Sequence, residues 1–298
     1  MNCMKCYFIF FISMFLSFDV FPQRYASIEE LLMDQCHNEF KEYFAAERFS
    51  QEDMKSALKL VTLVSQPQRL ISLAKQLSSK GYSIGDYWLG WCYEGGEGVN
   101  MDYDKAFYYF HKAANHRNPF PYALEKLGSY YYSGAGVPQN YNEAYKWFEK
   151  GNQIIKHKDY RAVCMYRMAY ILLNKENAGS SEYESAFNLF CQVADLSKKE
   201  NGFDFDHTSY DGLVPYMHKH AAYVAGMLIL RKGVHGRNET EGIHLLERSA
   251  ELGDDEGQYA LGIYLLSNNK NDTNGLNWIK KSAAQGNSDA LIFLNQSK

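Results

Sequence analysis

The feature that most constrains this chain is an internal repetition. Residues 86–117 read DYWLGWCYEGGEGVNMDYDKAFYYFHKAANHR, and residues 124–152 read LEKLGSYYYSGAGVPQNYNEAYKWFEKGN. At one fixed offset of 38, Leu89-Gly90 falls on Leu127-Gly128 and Gly98-Val99 on Gly136-Val137. The same offset carries Tyr103 onto Tyr141, Ala106 onto Ala144, Phe110 onto Phe148 and Lys112 onto Lys150. A period of this size marks an array in which each unit buries its apolar face only by stacking on its neighbours. Weaker copies run from Tyr160 to Ala194, around Gly226 and around Gly262. The step from Gly226 to Gly262 is 36, whereas that from Ala169 to Gly226 is 57, so roughly 20 residues are inserted, at Leu196 to Pro215.

Each unit has the same physical logic. Its first half places small and apolar residues at helical spacing, as in Ala123, Leu127, Gly128 and Tyr131. Gly134-Ala135-Gly136 then ends the helix, because glycine accepts the positive φ that a tight helix exit needs. Pro138 prevents continuation, and a second helix restarts through Tyr141, Ala144 and Trp147-Phe148. Small residues at 128 and 144 let the two helices of a hairpin approach, with large aromatics filling the groove beside them. Recurring aromatics, Tyr103/Tyr141 and Phe110/Phe148, are expected to serve as inter-helix packing.

This pattern resembles the Sel1-like repeat family, a relative of the tetratricopeptide repeats. The residues that carry the resemblance are Leu127-Gly128, Tyr131, Gly134, Gly136-Val137, Ala144, Trp147-Phe148 and Lys150. A second set is Leu261-Gly262, Trp278, Lys281, Ala283-Ala284 and Gly286. The third unit lacks the G-x-G-V turn, and the fifth has Asn268-Asn269-Lys270-Asn271-Asp272 in its place, so altered turns are expected there. The resemblance implies an all-α fold: a right-handed α-solenoid of five to six stacked antiparallel helix hairpins over residues 68–298. Helical patterns at Leu31 to Phe44, Met54 to Val64 and Leu70 to Leu77 point to an N-terminal cap, placed at 27–67, and a degenerate first hairpin.

Residues 1–26 read as a signal peptide. Lys5 lies in a short basic region, and the apolar run Tyr7 to Phe18 is about 12 residues, short of the ~20 that span a bilayer as a helix. The alternative is an uncleaved short anchor. The expected location is therefore exported, periplasmic or secreted, with no membrane span in the mature chain. Cys36, Cys92, Cys164 and Cys191 lie beyond this segment without C-x-x-C or regular spacing, so a disulfide scaffold is not indicated. Free buried thiols and an incidental Cys164–Cys191 bridge are the two readings.

Composition excludes further classes. A hydrophobic share of 46% with 22% charged residues does not fit disorder. A formal net charge of −4 supplies no overall positive field for nucleic acid. No phosphate-binding G-x-x-x-x-G-K occurs, and Gly95-Gly96-Glu97-Gly98 is a repeat turn. Asp204-Phe205-Asp206-His207 and Asp211-Gly212 lack the third ligand and closing Glu of a calcium loop. His218-x-His220 does not have the i, i+4 spacing of a metal pair on one helical face and reads as a solvated helix start. Asp254-Asp255 lies between repeats and reads as a helix N-cap. No G-x-S-x-G nucleophile elbow is present, and the cysteine-paired pattern of relatives once linked with penicillin binding is missing. No catalytic residue, metal or cofactor is assigned.

What the chain does offer is a surface. The first helices of such hairpins line the concave side of a solenoid. Their positions outside the repeat pattern are Trp88, Trp91 and Glu94; Lys126, Ser129 and Tyr130; Arg167 and Tyr170. Exposed Trp, Tyr and Arg are the usual makings of interface hot spots, although Trp88 and Trp91 could equally pack between hairpins. The expected function is an exported, non-catalytic protein–protein interaction adaptor. Resemblance to periplasmic immunity proteins that neutralise secreted lipase effectors gives a narrower form. The alternatives are a cell-wall hydrolase using Asp206 and His207, or, in a eukaryote, an endoplasmic-reticulum quality-control adaptor with sequons at Asn238, Asn271 and Asn295.

Overall fold

The computed structural model describes residues 40–196, 213–231 and 233–296. The segment 1–39, with the signal peptide and Cys36, lies outside them, as does 197–212, which holds most of the insert with Asp206 and His207. Among the described residues there are fourteen helices and no strand. They are α1 (Lys41–Glu47), α2 (Gln51–Thr62), α3 (Pro67–Ser79), α4 (Ser83–Gly95), α5 (Tyr103–Ala114), α6 (Pro121–Ser133) and α7 (Tyr141–Ile154). Then come α8 (Lys158–Leu173), α9 (Ser180–Leu196), α10 (Leu213–Leu230), α11 (Glu239–Glu251), α12 (Asp255–Asn268), α13 (Thr273–Ala284) and α14 (Ser288–Gln296). The described residues fall into two compact units, one through Cys164 and one from Met165. No described helix is long and apolar enough to cross a membrane.

In the first unit α4 pairs with α5 and α6 with α7; in the second α10 pairs with α11 and α12 with α13. The turns that create these hairpins are written locally. Gly96 and Gly134 close α4 and α6 in the left-handed region, at φ 68° and 77°, where a β-carbon is disfavoured. In the third unit, which lacks that glycine turn, Asn177 takes positive φ instead, at 63°. In the fifth, Asn269 ends α12 in extended geometry and Asp272 restarts the chain. The second helices begin on side-chain caps. Asp102, Asn140, Asn238 and Asp272 accept from the backbone N–H three residues on, at 2.8–3.1 Å.

The two helices of a hairpin meet at a glycine. A methyl group placed on Gly90 would lie 2.7 Å from the Phe110 ring, and one on Gly128 2.5 Å from the Phe148 ring. In the second unit the same position, Gly262, faces Ile279 at 2.6 Å, and Gly226 faces the carbonyl of Gly242 at 2.8 Å. Phe110, Phe148 and Ile279 are fully buried, as are Ala106 and Ala144. In three hairpins the core contact is thus small against large, while at Gly226 two glycines bring the backbones themselves together. Tyr103 and Tyr141 pack between helices as expected, with ring centroids 6.5 Å from Tyr130 and 5.4 Å from Tyr132, yet keep much of their surface in solvent. They are 44% and 45% exposed, because each is the first residue of a second helix, at the rim of its hairpin.

The N-terminal helices are tied to the first repeat by polar contacts. The amide of Ile84 donates to the Tyr43 hydroxyl at 3.1 Å, and that hydroxyl lies 3.0 Å from Ser83 Oγ. Burial pushes the Tyr43 phenol well above its ordinary pKa. Asp53 accepts from Lys80 and from Tyr82, the latter at 3.1 Å, which holds its carboxyl below the usual range. Cys92 and Cys164 are buried and Cys191 half-buried, and all three are free thiols. Burial pushes Cys92 up to about 12 and Cys191 to about 11, so both stay protonated and unreactive at neutral pH.

Gly128→Ala tests the hairpin contact. The added methyl cannot be accommodated without moving Phe148, and urea unfolding should show a loss of about 1–3 kcal/mol. Gly236→Ala, where a methyl would meet nothing within 4 Å, should cost less despite its positive φ of 72°.

Candidate functional site

In the first unit, α4 and α6 place five of the expected surface residues together. Trp88 and Trp91 are half-buried and meet edge to face, with ring centroids 5.5 Å apart. Trp88 also stands edge-on to Tyr87 at 6.0 Å. Both tryptophans thus pack on neighbours and still keep part of their surface in solvent. Lys126 Nζ donates to Glu94 Oε2 at 2.7 Å, linking one hairpin to the next. Burial works against the Lys126 charge, but Glu94 and Glu125 outweigh it and raise its pKa. The ammonium also stands 5.8 Å from the centre of the Phe110 ring. Ser129 donates to Glu125 Oε1 at 2.6 Å, which orients a carboxylate that is wholly buried.

Tyr130 does not face outward as its repeat position suggested. It is 3% exposed and packs on Phe110, Phe107 and Tyr103 at 5.6–6.5 Å. The reason is its length: a tyrosine at this register reaches back to the aromatic face of α5 in the preceding hairpin. Burial, reinforced by Glu94, pushes its phenol far above the ordinary range.

Arg167 and Tyr170 belong to the second unit, on α8, and both are half-buried. Tyr170 leads into a group that the sequence reading did not assemble. Its hydroxyl lies 2.9 Å from His220 Nε2 on α10. The imidazole is stacked on Tyr216 at 4.9 Å and 16°, and Tyr223 and Tyr166 stand 5.3 and 6.3 Å away. His220 Nδ1 faces Asp254 Oδ2 at 3.5 Å and Glu256 Oε2 at 3.9 Å, beyond hydrogen-bond length. Asp254 is the N-cap of α12, as its position suggested: its Oδ1 accepts from the Gly257 amide at 2.8 Å. The pair His218 and His220 is not a solvated helix start. Both are buried, and His218 Nδ1 lies 2.7 Å from the Val193 carbonyl oxygen. Tyr216, His220 and Tyr223 share one face of α10 by spacing, a stripe visible in the sequence; the carboxylates some 34 residues later carry no local signal that they join it.

Among the described residues no group of three or more His, Cys, Asp and Glu is placed to hold a metal ion. Half-exposed aromatics and paired charges on neighbouring helices are the makings of a recognition surface.

Fold and surface together define an α-helical repeat protein of the hairpin-solenoid class. A family model for the Sel1 repeat matches residues 83–118, 121–152, 162–197, 219–254 and 255–287, more than half of the chain. The chain belongs to the Sel1 repeat family. Among solved structures, a Sel1 repeat protein from Oxalobacter formigenes aligns with TM-score 0.58 and 21% identity, over 79% of this chain and 84% of that one. A protective antigen of uropathogenic Escherichia coli strains, with an SLR fold, aligns at TM-score 0.46 and 21% identity over 90% of this chain and 58% of that one. A search of curated proteins returns no match. Sel1 repeats are in general non-catalytic modules that mediate protein binding.

Alkaline titration checks the Tyr216–His220–Tyr223 group. Burial, with Glu256 next, pushes both phenols from their ordinary value near 10 up to about 12. The folded state therefore holds these protons more tightly than the unfolded chain, so stability falls as pH rises from 10 through 12. The Tyr216→Phe/Tyr223→Phe variant should lose less stability over that window in urea titrations than the unaltered chain does.

Proposed function

We propose that this chain is an exported, non-catalytic adaptor that acts by binding a protein partner through the first-helix face of its hairpins, the face expected to be concave. One observation carries the reading. The Glu94–Lys126 ion pair, at 2.7 Å, holds α4 to α6 beside the Trp88–Trp91 pair. Two indoles with part of their surface in solvent, next to a fixed ion pair, offer a partner large rigid contact area at little entropic cost. Membership of a family whose repeats generally bind proteins supports the same conclusion. Export rests on the sequence alone, on the basic and apolar pattern before residue 27.

In its narrowest form the adaptor is an immunity protein, and its partner a secreted effector that it neutralises by covering a functional face. Arg167 and Tyr170 are the second unit's contribution to recognition. Ser129 and Glu125 orient the α6 side of the first patch, while Tyr130 supports it from within the core.

Affinity capture from the source organism, followed by titration calorimetry on the captured partner, tests the proposal. Trp91→Ala and Lys126→Ala should each weaken binding by about tenfold or more, the loss of an interface hot spot. Unchanged affinity in both variants would remove the first-helix face from the binding surface. An effector assay with and without this chain decides the immunity form.

A further inference from the structure

The second unit holds a group of atoms whose hydrogen-bonding capacity the fold leaves unused. Asp254 is wholly buried, and its Oδ1 is spent on capping α12. Its Oδ2 is buried without a hydrogen-bond partner, and so is His220 Nδ1 opposite it. Glu256, half in solvent, brings a third heteroatom within 3.9 Å of the same imidazole nitrogen. Asp254 Oδ2 is closed off from solvent, so its charge acts at the surface as a field that adds to that of half-exposed Glu256.

The surroundings say what kind of partner. Glu256 is raised above the ordinary carboxylate range by burial, and Asp254, Asp255 and Asp289 raise it further while His220 opposes them. The phenols of Tyr216 and Tyr223 feel Glu256 and Asp254 in the same sense, with Arg231 acting against them at Tyr223. The nearby lysine of α10, Lys219, donates to the Gly253 carbonyl at 2.9 Å. The field is therefore negative. The walls are aromatic: Tyr216 is 37% exposed and lies flat on the imidazole, with Tyr223 beside it and Tyr170 and Tyr166 behind. Two carboxylates beside tyrosine faces match a planar, delocalised cation with forked donors better than a compact ammonium.

We propose that Tyr216, Tyr223, Asp254 and Glu256 form a receptor for an arginine side chain presented by a protein partner. The guanidinium stacks on Tyr216 and donates its fork to half-exposed Glu256, while Asp254, wholly buried beside His220, adds its charge to the field without touching the guest. His220 is a positioning residue: its stack on Tyr216 and its contact with Tyr170 hold the aromatic wall. The assignment rests on the protein-binding reading above, and it names the chemistry of one contact on the second unit.

The test uses the full chain and short blocked peptides, Gly-Arg-Gly, Gly-citrulline-Gly and Gly-Lys-Gly, followed by NMR of the tyrosine and histidine ring signals. Citrulline keeps the shape of arginine without its charge. Saturable shifts at Tyr216, His220 and Tyr223 are expected with the arginine peptide, about tenfold weaker or absent with the other two. Glu256→Gln should abolish them, whereas Glu247→Gln, which removes a charge from α11 of the same unit, should leave them within twofold. Equal response to the lysine or citrulline peptide, equal effects of the two glutamine variants, or no saturable shift would each overturn the proposal. A partner that loses affinity with Trp91→Ala but not with Glu256→Gln would overturn it while leaving the adaptor function standing. Loss with neither variant would count against both.

Discussion

The structure depends on how closely the two helices of a hairpin can approach. At Gly90 and Gly128 the backbone of the first helix lies directly against a phenylalanine ring of the second. Any β-carbon there would overlap that ring, so the contact distance is set by the absence of a side chain. Once it is set, the rest of the unit follows. The large ring fills the groove, small Ala106 or Ala144 lies in the same interface, and the helix ends fall where glycine turns and Asx caps can join them. In the third unit buried Ala169 stands at the glycine position, and Tyr166 and Tyr170 of the same helix meet Phe190 of the next; in the fifth, Gly262 is kept and Ile279 replaces the ring.

This constraint also explains the aromatic share of the chain. Eight of its 46 aromatic residues lie in the segment before residue 27. Others divide by depth. Phe110, Phe148 and Phe190 fill hairpin interiors. Trp147 and Trp278 lie on second helices, where Lys150 and Lys281 one turn later stand 4.4 and 4.0 Å above their rings. These are helical i, i+3 neighbours, so the repeat pattern that places the tryptophan also places its cation. A third class, on first helices, stays partly in solvent. Trp88, Trp91, Tyr170 and Tyr216 are held in place by core contacts on one side and present their remaining surface on the other, which is the geometry recognition needs.

The fold was legible because its determinants are local and repeated. A glycine at a helix exit, an Asp or Asn before a helix, and Leu-Gly at one offset each act within a few residues, and the offset multiplies the signal. The first-unit surface was legible in part for the same reason: Trp88, Trp91, Glu94, Lys126 and Ser129 follow from helical register. Register alone could not settle depth. Tyr130 and Trp88 are both first-helix aromatics outside the repeat pattern, yet one is buried and the other half-exposed, because depth depends on what the facing helix offers. Tyr103 and Tyr141 make the inter-helix contacts their recurrence suggested and still stay partly exposed, since recurrence at a repeat position identifies a structural role without fixing its depth.

The sequence by itself determined the class of architecture, the number of repeat units to within one, the hairpin turns and caps, and the lack of a recognisable catalytic motif. Those follow from backbone conformation and side-chain volume at fixed spacing. Only the tertiary structure decided which polar groups meet. His218 and His220 looked like a solvated pair and are buried. Asp254 looked like a cap; it is one, and its second oxygen also faces the imidazole of His220. The physical reason is that a hydrogen bond or ion pair between residues some 34 to 50 positions apart leaves no periodic trace in either segment. It exists only when stacked hairpins bring one face of α10 against the start of α12, and that meeting creates the aromatic, acidic receptor.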